Sequence, residues 1–468
     1  MAEAVDALVI GAGLSGLQTA LDIHRQGRSV IILEARDRVG GKTWSVPRLD
    51  GLGIQESGAA WINDTNQSHV WGYCQRFGLS TVVQNVQGQV ACEDERGNCH
   101  FFPFGELPRF GQADVDNITD LRNQVERASL DPATFEQPQR SETDKLSFEQ
   151  WCRNAGAGKR ALQTATLWCR GTLGHDPAEV SALAFLEIAR GGLGIVNLRY
   201  DGKHGAQHLR IVEGTQSIAT NMAKLLPEGT IRLNNAVEAI TRVDSKFYTV
   251  GTKDGSTFIA RRVVVSVPGP AYKNITFTPR LPLQKATYTA TVRHGCYLKY
   301  ICLFKTPFWR RQGSCGLAQS FKGPINHCRD TSVDHQRNYA LTCFVTSSPG
   351  RRWLTLDDSE RRASILRQLS SFFAVTLDEI QAEFLDSVTA QWMDDKWAGW
   401  GCPFAAPPPG SIGQGLDGEM VQEKFGGVYF VGTELTNEWR GYMEGALRSG
   451  VRGARQLLAD LDAQSARL

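Results

Sequence analysis

Ala4-Val5-Asp6-Ala7-Leu8-Val9-Ile10-Gly11-Ala12-Gly13-Leu14-Ser15-Gly16 is the stretch that decides the fold. The run from Ala4 to Ile10 reads as a buried parallel strand, and the pattern from Leu17 to Gln26 reads as a helix. Between them stands GxGxxG in the context it needs. Gly11 permits the tight turn, Gly13 lets the backbone approach a pyrophosphate, and Gly16 lets the helix pack on the strand. A pyrophosphate then rests on the positive end of that helix, beside Leu14 and Ser15. A second strand, Ser29 to Leu33, ends at Glu34, about 20 residues past the glycines, where a carboxylate accepts both ribose hydroxyls. An acid there disfavours a 2′-phosphate.

The motif alone does not separate one dinucleotide from another. The next stretch, Glu34-Ala35-Arg36-Asp37-Arg38-Val39-Gly40-Gly41-Lys42-Thr43, places a second diglycine and three cations directly after the ribose-binding acid. Such a loop can close over a pyrophosphate and reach a ribityl chain, which a nicotinamide site does not require. The expected cofactor is FAD.

The chain has 468 residues, 41% apolar and 21% charged, close to the averages for globular proteins. That length exceeds one ordinary core at roughly 150 residues per domain. With 51 basic and 49 acidic residues the formal net charge is +2, so no polyelectrolyte face points to nucleic acid. The 11 cysteines are odd in number and lack CxxC spacing, which argues against a disulfide framework and structural zinc. No run approaches the roughly 18 to 20 apolar residues of a membrane helix, no secretory leader is legible, and the segment after Gly450 reads as an amphipathic helix. A soluble protein is expected.

Six blocks in order carry a resemblance: GAGLSG at Gly11, EARDRVGGKT at Glu34, QESGAAWIN from Gln55 to Asn63, EVSALAF from Glu179 to Phe185, LKYICLFKTPFW from Leu298 to Trp309, and VGTELTNEWRGYMEGA from Val431 to Ala446. In these the sequence resembles the flavin amine oxidase superfamily, and within it the monoamine oxidases. The resemblance implies an α/β fold in which a Rossmann-type FAD-binding domain (residues 1–84, 208–283 and 397–468) is interleaved with an α+β substrate-binding domain (85–207 and 284–396). The polar stretch Arg122 to Lys145 reads as a surface excursion within the second.

It also implies site residues. Ala59, Ala60, Trp61, Trp397 and Gly432 join the cofactor site. Val237 meets the adenine through its backbone, and Thr433, Glu434 and Met443 meet the ribityl chain and the pyrimidine edge. Lys299 holds a water against the flavin N5; on its own, a lysine in the alternating strand Tyr297 to Phe304 could instead snorkel at a sheet edge. The segment from Trp397 to Gly410 resembles the loop that tethers FAD through a cysteine thioether at 8α, with Cys402 as the tether, although an extra residue shifts the register counted from Trp397. Tyr442 matches one ring of the cage that flanks the amine. The other ring is replaced by Pro403, leaving Phe404 or Trp400 to supply it. Gln207 lines the cavity and Gly191-Gly192 form part of its wall.

The implied reaction is oxidative deamination of a primary amine, with dioxygen as second substrate, hydrogen peroxide as product and a homodimer as the working form. The carboxylate-clamping arginine element of amino-acid oxidases is missing after the second diglycine block, which favours amines. Polyamine or L-amino-acid oxidation within the same superfamily and a catalytically quiet flavin-binding scaffold are the alternatives. Pro403 suits a bulky aliphatic amine such as the fumonisin type, acted on by a fungal branch of the family. The ending Ala466-Arg467-Leu468 has the small, basic, leucine pattern read for peroxisomal import.

Overall fold

The computed structural model describes residues 4–401, 403, 405–412 and 421–465. Cys402, Phe404 and the Ala466-Arg467-Leu468 tripeptide lie outside the described residues. Strand Val5–Ile10 pairs in parallel with Val30–Leu33 on one side and Thr257–Val265 on the other, Ile10 lying opposite both Leu33 and Val265. Where they pair, at Leu8–Ile10, Val30–Leu33 and Val263–Val265, these strands are runs of Val, Ile and Leu, as strands covered on both faces require. The sheet continues in the order Ile231–Arg232, Val30–Leu33, Val5–Ile10, Thr257–Val265, Tyr248–Thr252, Val237–Arg242, Thr276–Thr278, with Val428–Phe430 also parallel to Thr257–Val265. This is the Rossmann-type sheet that GxGxxG demands.

The helix after the motif spans Leu14–Arg25, with Gly13 as its N-cap. It therefore begins three residues before the apolar periodicity does, and its free N–H groups fall within the glycine motif itself. Helix Met443–Ser465 packs across it. At Gly450 a Cβ would lie 2.6 Å from Ser15 O, and Thr19 Oγ1 donates to Gly450 O at 3.1 Å, so only glycine permits that approach.

A second sheet runs Phe384–Gln391, Tyr297–Phe304, Tyr339–Thr346, Ile325–Asp330, Ser314–Ser320, Gln89–Glu93, Cys99–Pro103. Its strands come from residues 89–103 and 297–391, and those of the first sheet from residues 5–33, 231–278 and 428–430. Strand Tyr297–Phe304 is interior, bonded on both edges, and buried from Leu298 to Phe304. The alternation expected there is absent because both faces are covered.

The stretch Arg122–Lys145 corrects another expectation. It belongs to helices Gln112–Leu130 and Gln139–Lys145, joined by a turn of 3-10 helix, Pro132–Phe135. Ile118, Leu121 and Val125 recur at three- and four-residue spacing and bury one face against Leu183, Phe185 and Ile188 in a shared core, so a polar average concealed an amphipathic helix. Among the described residues no helix is long and apolar enough to cross a membrane.

Candidate active site

The glycine cradle is built by steric exclusion. A Cβ at Gly16 would lie 2.1 Å from Gly11 O, and Gly11 itself sits at φ +101°. Glu34, almost fully buried, accepts the Ala12 N–H at 2.7 Å and the Arg36 N–H at 2.9 Å, while burial pushes its carboxyl above the usual range. The second diglycine block folds directly onto the first: Gly40 N–H donates to Ala12 O at 2.9 Å, and Gly13 and Gly40 form a parallel bridge. Arg38 holds that loop from behind through Gly41 O and Thr43 O.

A cavity of about 390 Å³ follows these backbones. Its walls include Gly11, Gly13, Leu14, Ser15, Glu34, Ala35, Arg36, Gly41, Lys42, Thr43, Ala59, Ala60, Trp61, Val237, Trp397, Gly432, Thr433, Glu434 and Met443, together with Lys299, Tyr442, Gln207 and Pro403. Of the expected residues, Gly16 stands behind the wall as the contact between helix and strand, and Cys402 and Phe404 lie outside the described residues. Gly191 and Gly192 also stand behind it, against Asn437 and Leu198. Trp400 is turned outward, 36% exposed with Lys273 over its ring at 4.5 Å, and does not line the cavity.

The residues present fit a flavin dinucleotide. Glycines form the cradle where a Cβ would meet backbone, and Glu434 Oε1 is buried in the cavity wall with no hydrogen-bond partner among the described residues, an acceptor suited to a ribityl hydroxyl.

Lys299 lies on the interior strand and is 7% exposed, so the sheet-edge alternative does not hold. Its Nζ donates to Glu56 O at 3.0 Å and to Gly58 O, and lies 5.3 Å from the Trp61 ring centre and 5.7 Å from that of Phe344. Gly58 is itself too crowded for a side chain, a Cβ there falling 2.0 Å from Lys42 O. The carboxyl of Glu56 is pushed up to about 7 by burial, against the pull of hydrogen bonds from Thr215 and of the Lys299 charge. The Tyr442 phenol accepts from Gln207 Nε2 at 3.3 Å and its ring meets Trp439 edge-on at 5.2 Å. Burial pushes this phenol up to about 12, opposed by Arg329 and Arg199.

Those two arginines were not legible in the sequence. Arg329 forms a two-pronged pair with buried Asp201 at 2.8 and 3.0 Å. Arg199, at the C-terminal end of helix Ile195–Arg199, lines the same cavity, and burial followed by repulsion from Arg329 draws its guanidinium down to about 10. The aromatic wall also proves richer than expected: Tyr297, Phe344 and His327 join Trp61, with His327 stacked on Phe344 at 4.3 Å. No local motif marks these positions. Three strands and a short helix bring them together, and the one available hint was the odd placement of cations in apolar segments.

A dinucleotide cradle continuous with an aromatic, lysine-bearing chamber defines a flavin-dependent oxidoreductase acting on small molecules. The family model described as flavin containing amine oxidoreductase matches residues 14–458, and the chain belongs to that family. The flavin-containing amine oxidase B of Homo sapiens is 27% identical over 470 residues, 98% of this chain and 87% of that protein. A flavin-containing amine oxidase of Danio rerio is 28% identical over 98% of this chain and 86% of its own length. Among solved structures, a cyclohexylamine oxidase of Brevibacterium oxydans superposes with a TM-score of 0.88 at 25% identity, over 98% of this chain and all of that one. A redesigned putrescine oxidase shares the fold with a TM-score of 0.90 at 23% identity, over 97% and 99% of the two chains.

Proposed function

We propose that this protein is an FAD-dependent oxidase of primary amines whose substrate carries an anionic group away from the amine. The observation that carries the reading is the single cavity in which the dinucleotide cradle, Lys299, Tyr442 and Arg199 share walls. When bound, FAD accepts a hydride from the carbon bearing the amine and passes the electrons to dioxygen. The side chains supply the rest. Lys299 is proposed to hold the water that meets the flavin, and Tyr442 to orient the amine with its ring face, its own angle set by Gln207 and Trp439. Gln207 Oε1 is buried without a hydrogen-bond partner among the described residues, and can accept an amine N–H. Pro403 lines the cavity where the resemblance puts the second ring, and among the described residues Trp400 does not replace it, which favours a bulky aliphatic chain. Water then hydrolyses the imine to aldehyde or ketone and ammonia.

The charge of the chamber supports the substrate class. Arg329 is neutralised by Asp201, whereas Arg199 has no acidic partner within ion-pair distance among the described residues. A cation there repels the second ammonium of a diamine or polyamine and attracts a carboxylate. The arginine element of amino-acid oxidases is absent after the second diglycine block, yet a separate arginine, Arg199, reaches the cavity through the fold.

Peroxide release across a panel of amines tests the reading: plain alkylamines, diamines, and long-chain amines bearing carboxylates. Carboxylate-bearing amines should have the highest kcat/KM, and Arg199→Gln should raise their KM about tenfold or more while leaving plain amines little changed. Preference for diamines would reverse the assignment of substrate class. Absence of peroxide with every amine would leave the quiet-scaffold reading.

A further inference from the structure

The sheet that carries the cofactor cradle has a second cavity at its other end. Strand Thr257–Val265 runs into Ser266 and strand Val428–Phe430 towards Gly432, both in the wall of the cofactor cavity. The shorter strand starts from a tight turn, in which Phe425 and Val428 exchange backbone hydrogen bonds at 2.8 and 3.0 Å around Gly426-Gly427. Beside that turn lies a cavity of about 330 Å³ that has no lining residue in common with the first. Its volume is within the range of small-molecule sites.

The wall is cationic and its floor is tightly packed. Arg262, on strand Thr257–Val265, is only 5% exposed. Its Nη1 donates to Arg261 O at 2.7 Å, and its Nε is buried with no hydrogen-bond partner among the described residues. A Cβ at Gly427 would fall 2.8 Å from Tyr248 Cε2 and 3.2 Å from Arg262 Cδ, so glycine lets the turn close on the arginine stem. Tyr248 is buried too; its hydroxyl accepts the Gly427 N–H at 2.7 Å and keeps a proton to donate. Arg242 reaches the same cavity from strand Val237–Arg242, two places along the sheet, with its Nε donating to Asp244 O at 2.9 Å.

Charge decides what such a cavity takes. Asp460 is the acid in its wall among the described residues, and both Lys424 and the Tyr429 hydroxyl donate to its Oδ2. Lys424 therefore cancels Asp460, whereas neither Arg242 nor Arg262 has a carboxylate within ion-pair distance among the described residues. A guanidinium as buried as that of Arg262 is costly without a counter-charge. Two guanidinium forks and a hydroxyl brought together from three strands suit a tetrahedral dianion, while a planar carboxylate is satisfied by a single fork.

We infer that this cavity binds a phosphate group, free or carried by a small metabolite, through Arg262 and Arg242 with Tyr248 as a hydroxyl donor. The volume left beside the phosphate favours the metabolite. The cavity also touches the last turns of helix Met443–Ser465 through Ala463 and Gln464, so the competing role for Arg262 is a strap between strand and helix.

Full-length protein loaded with FAD, so that the dinucleotide cradle is filled, provides the test. It is titrated by calorimetry in chloride buffer with inorganic phosphate, glycerol 3-phosphate and adenosine monophosphate in turn. We expect saturable binding at one site per chain, weakened about tenfold or more in Arg262→Gln and in Arg242→Gln. If Arg262→Gln does not fold, Arg242→Gln decides, because Arg242 is exposed and its loss spares the core. Tighter binding of either organic phosphate than of inorganic phosphate would assign the site to a phosphorylated metabolite, and the reverse order would assign it to the free ion. Full affinity retained in both variants would overturn the site. So would the absence of saturable binding of all three probes to wild type, and a lower unfolding midpoint of Arg262→Gln in that case would identify the strap.

Discussion

At the scale of single residues, the site is governed by what fits and what charge is tolerated. Gly16→Ala would force a methyl to 2.1 Å from Gly11 O, a contact relieved only by parting the first helix from its strand. Overpacking of this kind costs about 1 to 3 kcal/mol, and here it opens the pyrophosphate cradle as well. We expect a lower unfolding midpoint and reduced flavin content by absorbance, and an unchanged flavin stoichiometry would count against the cradle. Lys299→Met isolates the other end of the cavity. Because Lys299 bonds Glu56 O and Gly58 O but belongs to the opposite sheet, its loss should spare cofactor binding and slow flavin reduction or reoxidation by about tenfold or more. Stopped-flow traces indistinguishable from wild type would reduce it to a structural lysine.

At the scale of elements, function depends on segments brought together from distant parts of the chain. Arg36, two residues beyond Glu34, pairs with Asp395 at 2.7 and 2.8 Å, and Asp395 also accepts the Trp397 and Ala398 N–H groups. The Arg36 charge holds the Asp395 carboxyl below its usual range despite burial. Asp395→Asn keeps one acceptor and loses the charge, so it should weaken this junction by about 1 to 3 kcal/mol and loosen Trp397 in the cavity wall. Faster proteolysis near Lys396 with an intact core is the expected result, and wild-type resistance would show the junction to be dispensable. Element boundaries are legible in the sequence where periodicity and burial coincide. The first strand is found at Val5–Ile10 and the lysine strand at Tyr297–Phe304, whereas helix Gln112–Leu130 was hidden by its polar exposed face.

For the whole molecule, the meeting of two sheets over one cavity makes stability and turnover depend on pH in opposite senses. Glu56 has its carboxyl raised from 4.5 to about 7, so the folded state favours its protonated form. The resulting stabilisation is complete below the unfolded value and is lost as pH rises through about 7. Chemical denaturation at about pH 5 and pH 8 should therefore show Glu56→Gln gaining on wild type at the higher pH, while equal differences at both would contradict the shift. Turnover should run the other way. The amine must lose its proton before hydride transfer, so kcat/KM should rise across roughly pH 6 to 9, and a flat profile would argue that deprotonation is not required.

The sequence by itself determined the nucleotide cradle. Gly11, Gly13, Gly16 and Glu34 lie within one strand-turn-helix-strand unit, where backbone sterics and local hydrogen bonds act between neighbours in the chain. It also marked Lys299 and Tyr442 as chemically distinctive through the blocks that contain them. Only the tertiary structure decided that Arg199 shares a chamber with Tyr442, that Arg329 is neutralised by Asp201 from 128 positions away, and that His294 receives Lys42 across a separation of 252. Each of these is a contact between segments joined by the packing of two sheets, and the charge state of each group follows from burial that no local pattern encodes.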